Sequence, residues 1–230
     1  MIMKKMRIFY EKYKHGIPLL IYMVVYLIWF AWLEQKNVKD YQLIHVRMDD
    51  YIPFCEVFII PYLLWFGYVA AVVVYLFFKN KQDYYRACVF LFTGMTVFLI
   101  ISTLWPNGHD LRPAVMPRDN SFTYLISILW KTDTATNLWP SIHVFNSMGA
   151  HFAVMQSREI ARFRYGRLIR IASGILAVSI ILSTVFIKQH SVFDVVTGCL
   201  MGAVMYVFVY KRDWLLIGRP NNKERENAPG

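Results

Sequence analysis

Ser183–Gly198, STVFIKQHSVFDVVTG, places His190 and Asp194 four residues apart with Lys188 just before them, in an otherwise greasy stretch. On a helix that spacing puts ring and carboxylate on one face. A carboxylate beside a histidine orients the ring and stabilises its cationic form. A second stretch, NLWPSIHVFNSMGAH, carries Pro140, Ser141, Ile142 and His143. Proline fits a helix start, where its missing N–H costs nothing. The first amides of such a helix are unpaired and its dipole favours anions; Ser141 adds a hydroxyl. A third stretch, PNGHDLRPAVMPRDN, sets Arg112 before Pro113, and the planar guanidinium suits a phosphate or carboxylate. These residue types suit phosphoryl transfer. One histidine attacks phosphorus, oriented by the carboxylate, and the other protonates the leaving oxygen. Cations and amides hold the charge on the transferring group. The chemistry requires no metal, no carboxylate cluster suggests one, and no cofactor is expected.

The elements that must position these groups are membrane helices. The 230 residues are 57% hydrophobic and 17% charged, whereas soluble domains are about 45–50% apolar. Charges come in clusters between long apolar runs, and a run of about 20 residues matches a hydrocarbon core of about 30 Å. Six spans are expected: Gly16–Leu33, Val57–Phe78, Ala87–Trp105, Trp139–Gln156, Ile171–Ile187 and Ser191–Tyr210. The fold class is therefore an all-α integral membrane protein, a six-helix bundle. Residues 1–15 form a basic N-terminus, 16–210 the membrane domain, and 211–230 a basic, partly disordered tail. Ser121–Trp130 is too short to span and reads as an amphipathic piece at the interface. The first span lacks a small-residue cleavage site and reads as a retained helix.

Of the 25 basic residues, 18 fall in the N-terminus, the loops after spans two and four, and the C-terminus. Basic residues accumulate on the cytoplasmic side, so both termini are expected to be cytoplasmic. Arg112, His143, His190 and Asp194 then converge on the extracytoplasmic face. The net charge of +10 reflects topology and contact with anionic membrane lipid; no nucleic-acid-binding pattern is present. Cys55, Cys88 and Cys199 fall at different depths, so no disulfide is expected. His190, Asp194, Gly198 and Gly202 share a stripe with small-xxx-small spacing, expected to face another helix.

At these residues the chain resembles the type 2 phosphatidate phosphatase superfamily, which includes bacterial acid phosphatases and vanadium haloperoxidases. The family pattern is Lys-x6-Arg-Pro, Pro-Ser-Gly-His and Ser-Arg-x5-His-x3-Asp. Here it reads Arg112-Pro113, then Pro140-Ser141-Ile142-His143, then Ser183-Thr184 with His190 and Asp194 at the family spacing. The likeness runs from Ala87 to Tyr210. It implies that His190 is the nucleophile forming a phosphohistidine, that Asp194 holds its ring, and that His143 is the acid for the departing alkoxide. Arg112 would bind phosphate oxygens, with Ser141 and the Ile142 amide beside it. Three positions depart: the family lysine is Trp105, the glycine is Ile142, and the second arginine is Thr184. Lys188 is placed to compensate for the lost cations, with Arg118 or Lys131 as further candidates. Neutralising Lys188 should then cost much of the turnover. The same losses resemble sphingomyelin and inositol phosphorylceramide synthases, which pass the headgroup to a lipid alcohol.

Other readings stay open for single residues. Ser141 is a phosphate ligand or a helix cap, and Lys188 a phosphate ligand or a snorkelling lysine. Asp49 and Asp50 line an entrance or sit in a solvated loop. His151, Ser147 and Asn146 read as packing groups, and His15, His45 and His109 carry no supporting pattern. The expected function is hydrolysis of a lipid phosphomonoester or an isoprenoid diphosphate, at the extracytoplasmic face of the cell membrane. A lipid phosphotransferase and a non-catalytic lipid-binding or transport protein are the alternatives.

Overall fold

In a computed structural model the described residues are 2–36 and 41–211. Apart from Lys211, the expected disordered tail lies outside them. The chain opens with α1 (Ile2–Tyr13), a single 3-10 turn, and α2 (Ile17–Gln35). A short β1 (Gln42–Leu43), α3 (Arg47–Tyr51) and a 3-10 turn lead into α4 (Ile59–Lys79) and α5 (Lys81–Leu104). Then follow β2 (Asn107–Gly108), α6 (Ser121–Thr132), α7 (Ile142–Gln156), α8 (Arg158–Arg162), α9 (Gly166–Phe186) and α10 (Val192–Tyr206).

Among the described residues, five helices are long and apolar enough to cross a membrane: Met3–Gln35, Glu56–Lys79, Lys81–Leu104, Gly166–Phe186 and Val192–Lys211. The expected count of six is not confirmed by length and composition. The missing one is α7, with 15 residues, about 22 Å at 1.5 Å per residue. Its start is later than the sequence suggests. Ser141, not a residue before Pro140, is the N-cap, accepting from Val144 N–H. The basic N-terminus is helical over Ile2–Tyr13, and α1 runs almost directly into α2.

The short α7 is the axis of the bundle, packed against α4, α5, α9 and α10. Small residues permit this. A Cβ at Gly149 would meet the Phe90 ring at 2.6 Å, and Phe90 stacks on Phe145 at 4.7 Å. Gly198 and Gly202 of α10 are buried; Cβ atoms there would lie 3.0 Å from the Ser141 carbonyl oxygen and from Met148 Sδ. The expected stripe on α10 thus faces α7. Outward-facing residues such as Leu20, Ile28, Phe66, Ile175 and Leu200 are large, apolar and exposed, as lipid-facing residues are.

One end of the bundle is roofed by three chain segments. β1 pairs with β2 in parallel, Gln42 with Asn107 and Leu43 with Gly108, and Gly108 bridges to Thr136. Asn107 Oδ1 accepts from the N–H groups of Leu138 and Trp139, both at 2.9 Å. These bonds fix the approach to Ser141 and α7. Beside them α6 is capped by Asn120, which accepts from Phe122 and Thr123 N–H. It buries Ile126 while Tyr124 and Ile128 stay exposed, the amphipathic pattern expected of it.

Candidate active site

The site begins where α9 stops. The N–H groups of Gln189 and His190 both donate to the Thr184 carbonyl, at 2.9 and 3.0 Å. Lys188 takes a left-handed conformation, φ 56°, which turns the chain toward α10. Ser191 caps α10: its hydroxyl accepts from Phe193 N–H, and Asp194 Oδ2 accepts from Ser191 N–H at 3.0 Å. The same carboxylate oxygen lies 3.3 Å from His190 Nδ1. His190 therefore sits just outside the helix, yet Asp194 reaches it through the capping geometry. Asp194 is fully buried, and its Oδ1 has no partner.

The other nitrogen of the same ring, His190 Nε2, lies 3.3 Å from His143 Nδ1 on the first turn of α7. His143 is fixed by aromatic contacts, its ring 4.6 Å from Tyr62 and 4.4 Å from Trp65. Two histidines and one aspartate, named from distant stretches, thus form one line. When Nδ1 of His190 donates to Asp194, Nε2 keeps its lone pair and faces His143. That is the arrangement of an oriented nucleophile with an acid opposite.

The expected anion ligands are placed less uniformly. Ser141 has no exposed surface, and its hydroxyl accepts from Val144 N–H at 3.4 Å, so it serves as the cap. Ile142, buried, opens α7 directly after it. Arg112 is tethered to the outer segments. It donates to the carbonyls of Trp130, Asp133 and Thr134 and to Gln189 Oε1, the last at 2.6 Å. Its buried Nε has no partner, and burial lowers its pKa. Lys188 Nζ donates to the carbonyls of Asp49 and Ile52, at 2.9 and 2.6 Å. Burial lowers the Lys188 pKa, opposed by Asp49 and Asp50. The lysine ties the turn to α3, which accounts for its burial. Arg118 pairs with Glu56 at 2.6 Å. Of the departed positions, Trp105 stands edge-on to Trp139. Thr184 is buried, its hydroxyl donating to the Ile181 carbonyl.

Five residues shape the site without having been assigned to it from the sequence. Asp49, read as an entrance or solvated loop residue, is buried. It accepts from Ser191 Oγ and Val192 N–H, both at 2.7 Å, and so adds a carboxylate to the start of α10. His109 Nδ1 accepts from Leu111 N–H, which leaves Nε2 to donate to the Gln189 carbonyl at 2.9 Å. Burial pushes the pKa of His109 down to about 4, so it is neutral near pH 7. Gln189 Nε2 donates to Asp133 Oδ2 at 2.8 Å and to Tyr62 Oη at 3.3 Å. Tyr62 itself donates to Asp133 Oδ2 at 3.0 Å. Burial raises the pKa of Asp133, opposed by His190, Tyr62 and Arg112. None of these five carries a local sequence signature; each has a partner far away in the chain.

A groove of about 290 Å³ opens beside the roof, lined by Gln42–Val46, Trp105, Asn107, Trp139 and Phe193. Trp139 and Phe193, stacked at 5.9 Å, flank Pro140 and Asp194 in sequence.

In a comparison with known families, residues 109–217 fit the model of the PAP2 superfamily. This bears out the resemblance to the type 2 phosphatidate phosphatases. The matched segment starts at His109, short of the Ala87 expected, and takes in Arg112, His143, His190 and Asp194. No curated protein and no solved structure matches the chain.

Proposed function

The chain belongs to the PAP2 superfamily through residues 109–217, and on that premise we propose that it is a membrane lipid phosphate phosphatase working through a phosphohistidine. The observation that carries this is the line Asp194–His190–His143, with each His190 nitrogen 3.3 Å from its partner. In the first step His190 Nε2 bonds to phosphorus as the bond from phosphorus to the lipid oxygen breaks. His143 gives its proton to the departing alkoxide. Asp194 stabilises the positive charge on the His190 ring. In the second step water passes a proton to His143 and attacks phosphorus; the N–P bond breaks and phosphate leaves. Arg112 Nε and the amides of Ile142 and His143 are the donors for the transferring oxygens, supported by the N-terminal dipole of α7.

The substrate class is a lipid phosphomonoester or diphosphate, such as phosphatidate, phosphatidylglycerophosphate or undecaprenyl diphosphate. The aromatic groove beside Trp139 suits its apolar chain. The distribution of basic residues supports a site on the extracytoplasmic face of the cell membrane. A second reading, transfer of a phospho-headgroup to a lipid alcohol, is favoured by one observation: Trp105 and Thr184 stand where the family carries cations. The test is to incubate the purified protein with a panel of lipid phosphates and diphosphates, with chelator, and measure inorganic phosphate. Release that disappears in His190→Ala supports the phosphatase. No release, with headgroup exchange on adding a lipid alcohol, supports the transferase. Neither activity would overturn both.

A further inference from the structure

The polar network behind the two histidines holds an unpaired cation and anion side by side. The Arg112 guanidinium and the Asp133 carboxylate both contact the Gln189 side chain. Yet among the described residues they form no ion pair with each other. Arg112 reaches only the backbone carbonyl of Asp133, at 2.8 Å.

The chemistry of the amide explains the separation. A guanidinium only donates and a carboxylate only accepts, while an amide does both. With Oε1 toward Arg112 and Nε2 toward Asp133, Gln189 satisfies both groups, and the reverse orientation would oppose like with like. Each charged group also has a separate task. Asp133 Oδ2 holds the Tyr62 hydroxyl, and the Tyr62 ring packs on His143. Arg112 keeps a buried, unpartnered Nε. A direct bidentate pair between them would neutralise Arg112 and draw its donors onto the carboxylate. The main chain of Gln189 is held as firmly as its side chain. Its N–H donates to Thr184 and its carbonyl accepts from His109, one peptide from His190.

We propose that Gln189 is a positioning residue that holds the Asp133 carboxylate off Arg112, keeping the Arg112 charge available for the transferring phosphoryl group. The inference rests on the phosphatase reading and names the device by which one cation serves a site that has lost two.

The test uses the full-length protein in detergent, with phosphate release and inhibition by orthovanadate, a phosphoryl mimic, as readouts. Gln189→Leu should raise both KM and the vanadate inhibition constant by about tenfold, the scale of one charge-assisted hydrogen bond. Adding Asp133→Asn, which keeps an acceptor for Tyr62, should return both to within about threefold of wild type. A purely structural role for Gln189 would lower stability and would not be rescued in this way. Should Gln189→Leu fail to fold, the near-isosteric Gln189→Glu decides. Its carboxylate neutralises Arg112 directly, so the inhibition constant should rise about tenfold or more, and Asp133→Asn should not restore it. An active wild type with unchanged constants in folded Gln189→Leu or Gln189→Glu would overturn this inference alone. So would a Gln189→Leu defect that Asp133→Asn leaves in place. A wild type with neither release nor vanadate sensitivity would overturn the phosphatase reading and this inference with it.

Discussion

Helix α7 carries two histidines, His143 and His151, about 12 Å apart along its axis at 1.5 Å per residue. Both meet a hydrogen-bonding partner on another element. His151 Nδ1 lies 3.0 Å from Ser173 Oγ, which lies 2.7 Å from Tyr68 Oη. Its hydrogen-bonded chain holds hydroxyls and no carboxylate. His143 meets His190, which meets Asp194. A hydroxyl satisfies an imidazole without setting its charge, whereas a carboxylate stabilises the imidazolium that chemistry must form. The same residue type on the same helix thus bonds to hydroxyls in one layer and, in the proposed mechanism, serves as the proton donor in the other, through its neighbours.

Substitution should separate the two layers most sharply in turnover. His190→Ala and His143→Ala are each expected to lower phosphate release by about 10³-fold or more, given what nucleophilic and general acid groups contribute. His151→Ala should stay within about threefold of wild type, since it touches no reacting atom. A large loss of turnover in folded His151→Ala would erase the contrast. Asp194→Asn comes next, with an expected loss of about 10²-fold in kcat and little change in KM, because it perturbs the ring and not the substrate.

Smaller effects should appear in stability. Asp49→Ala removes the acceptor for two donors at the start of α10, and about 2 kcal/mol should be lost. Thermal unfolding in detergent measures this, and an unchanged melting temperature would refute the capping role. The smallest effect concerns His109, whose folded pKa of about 4 lies below its unfolded value near 6.5. The folded state then binds fewer protons, so stability is fully present above about pH 6.5 and falls as pH drops toward 4. His109→Gln, which does not titrate, should remove that pH dependence. Identical slopes in the two proteins would contradict a neutral buried ring.

What the sequence disclosed follows from the range of each interaction. His190 and Asp194 are four residues apart, and the family pattern around His143 is contiguous, so both were legible. So were the stripe through Gly198 and Gly202 and the amphipathic α6, because helical periodicity is local. Trp139 and Pro140 were counted into the fourth span because an apolar run does not mark the first helical residue, although Ser141 was named as a possible cap. Asp49 was not read as a cap because the groups it bonds, Ser191 and Val192, lie more than 140 positions away. The bond from Gln189 to Tyr62 spans 127 positions, and no spacing rule reaches that far. Lys188 was read as a phosphate ligand or a snorkelling lysine, and its partners on the Asp49–Ile52 segment came only from the fold.

The most direct test is to trap the intermediate. The protein would be mixed with a lipid phosphate labelled at phosphorus, quenched in alkali, and examined for label on histidine. Label on His190 in the wild type, retained longer in His143→Ala and absent from His190→Ala, is the expected result. Phosphate release with no histidine-bound label at any quench time, or label that persists in His190→Ala, would contradict the assignment of His190 as the nucleophile.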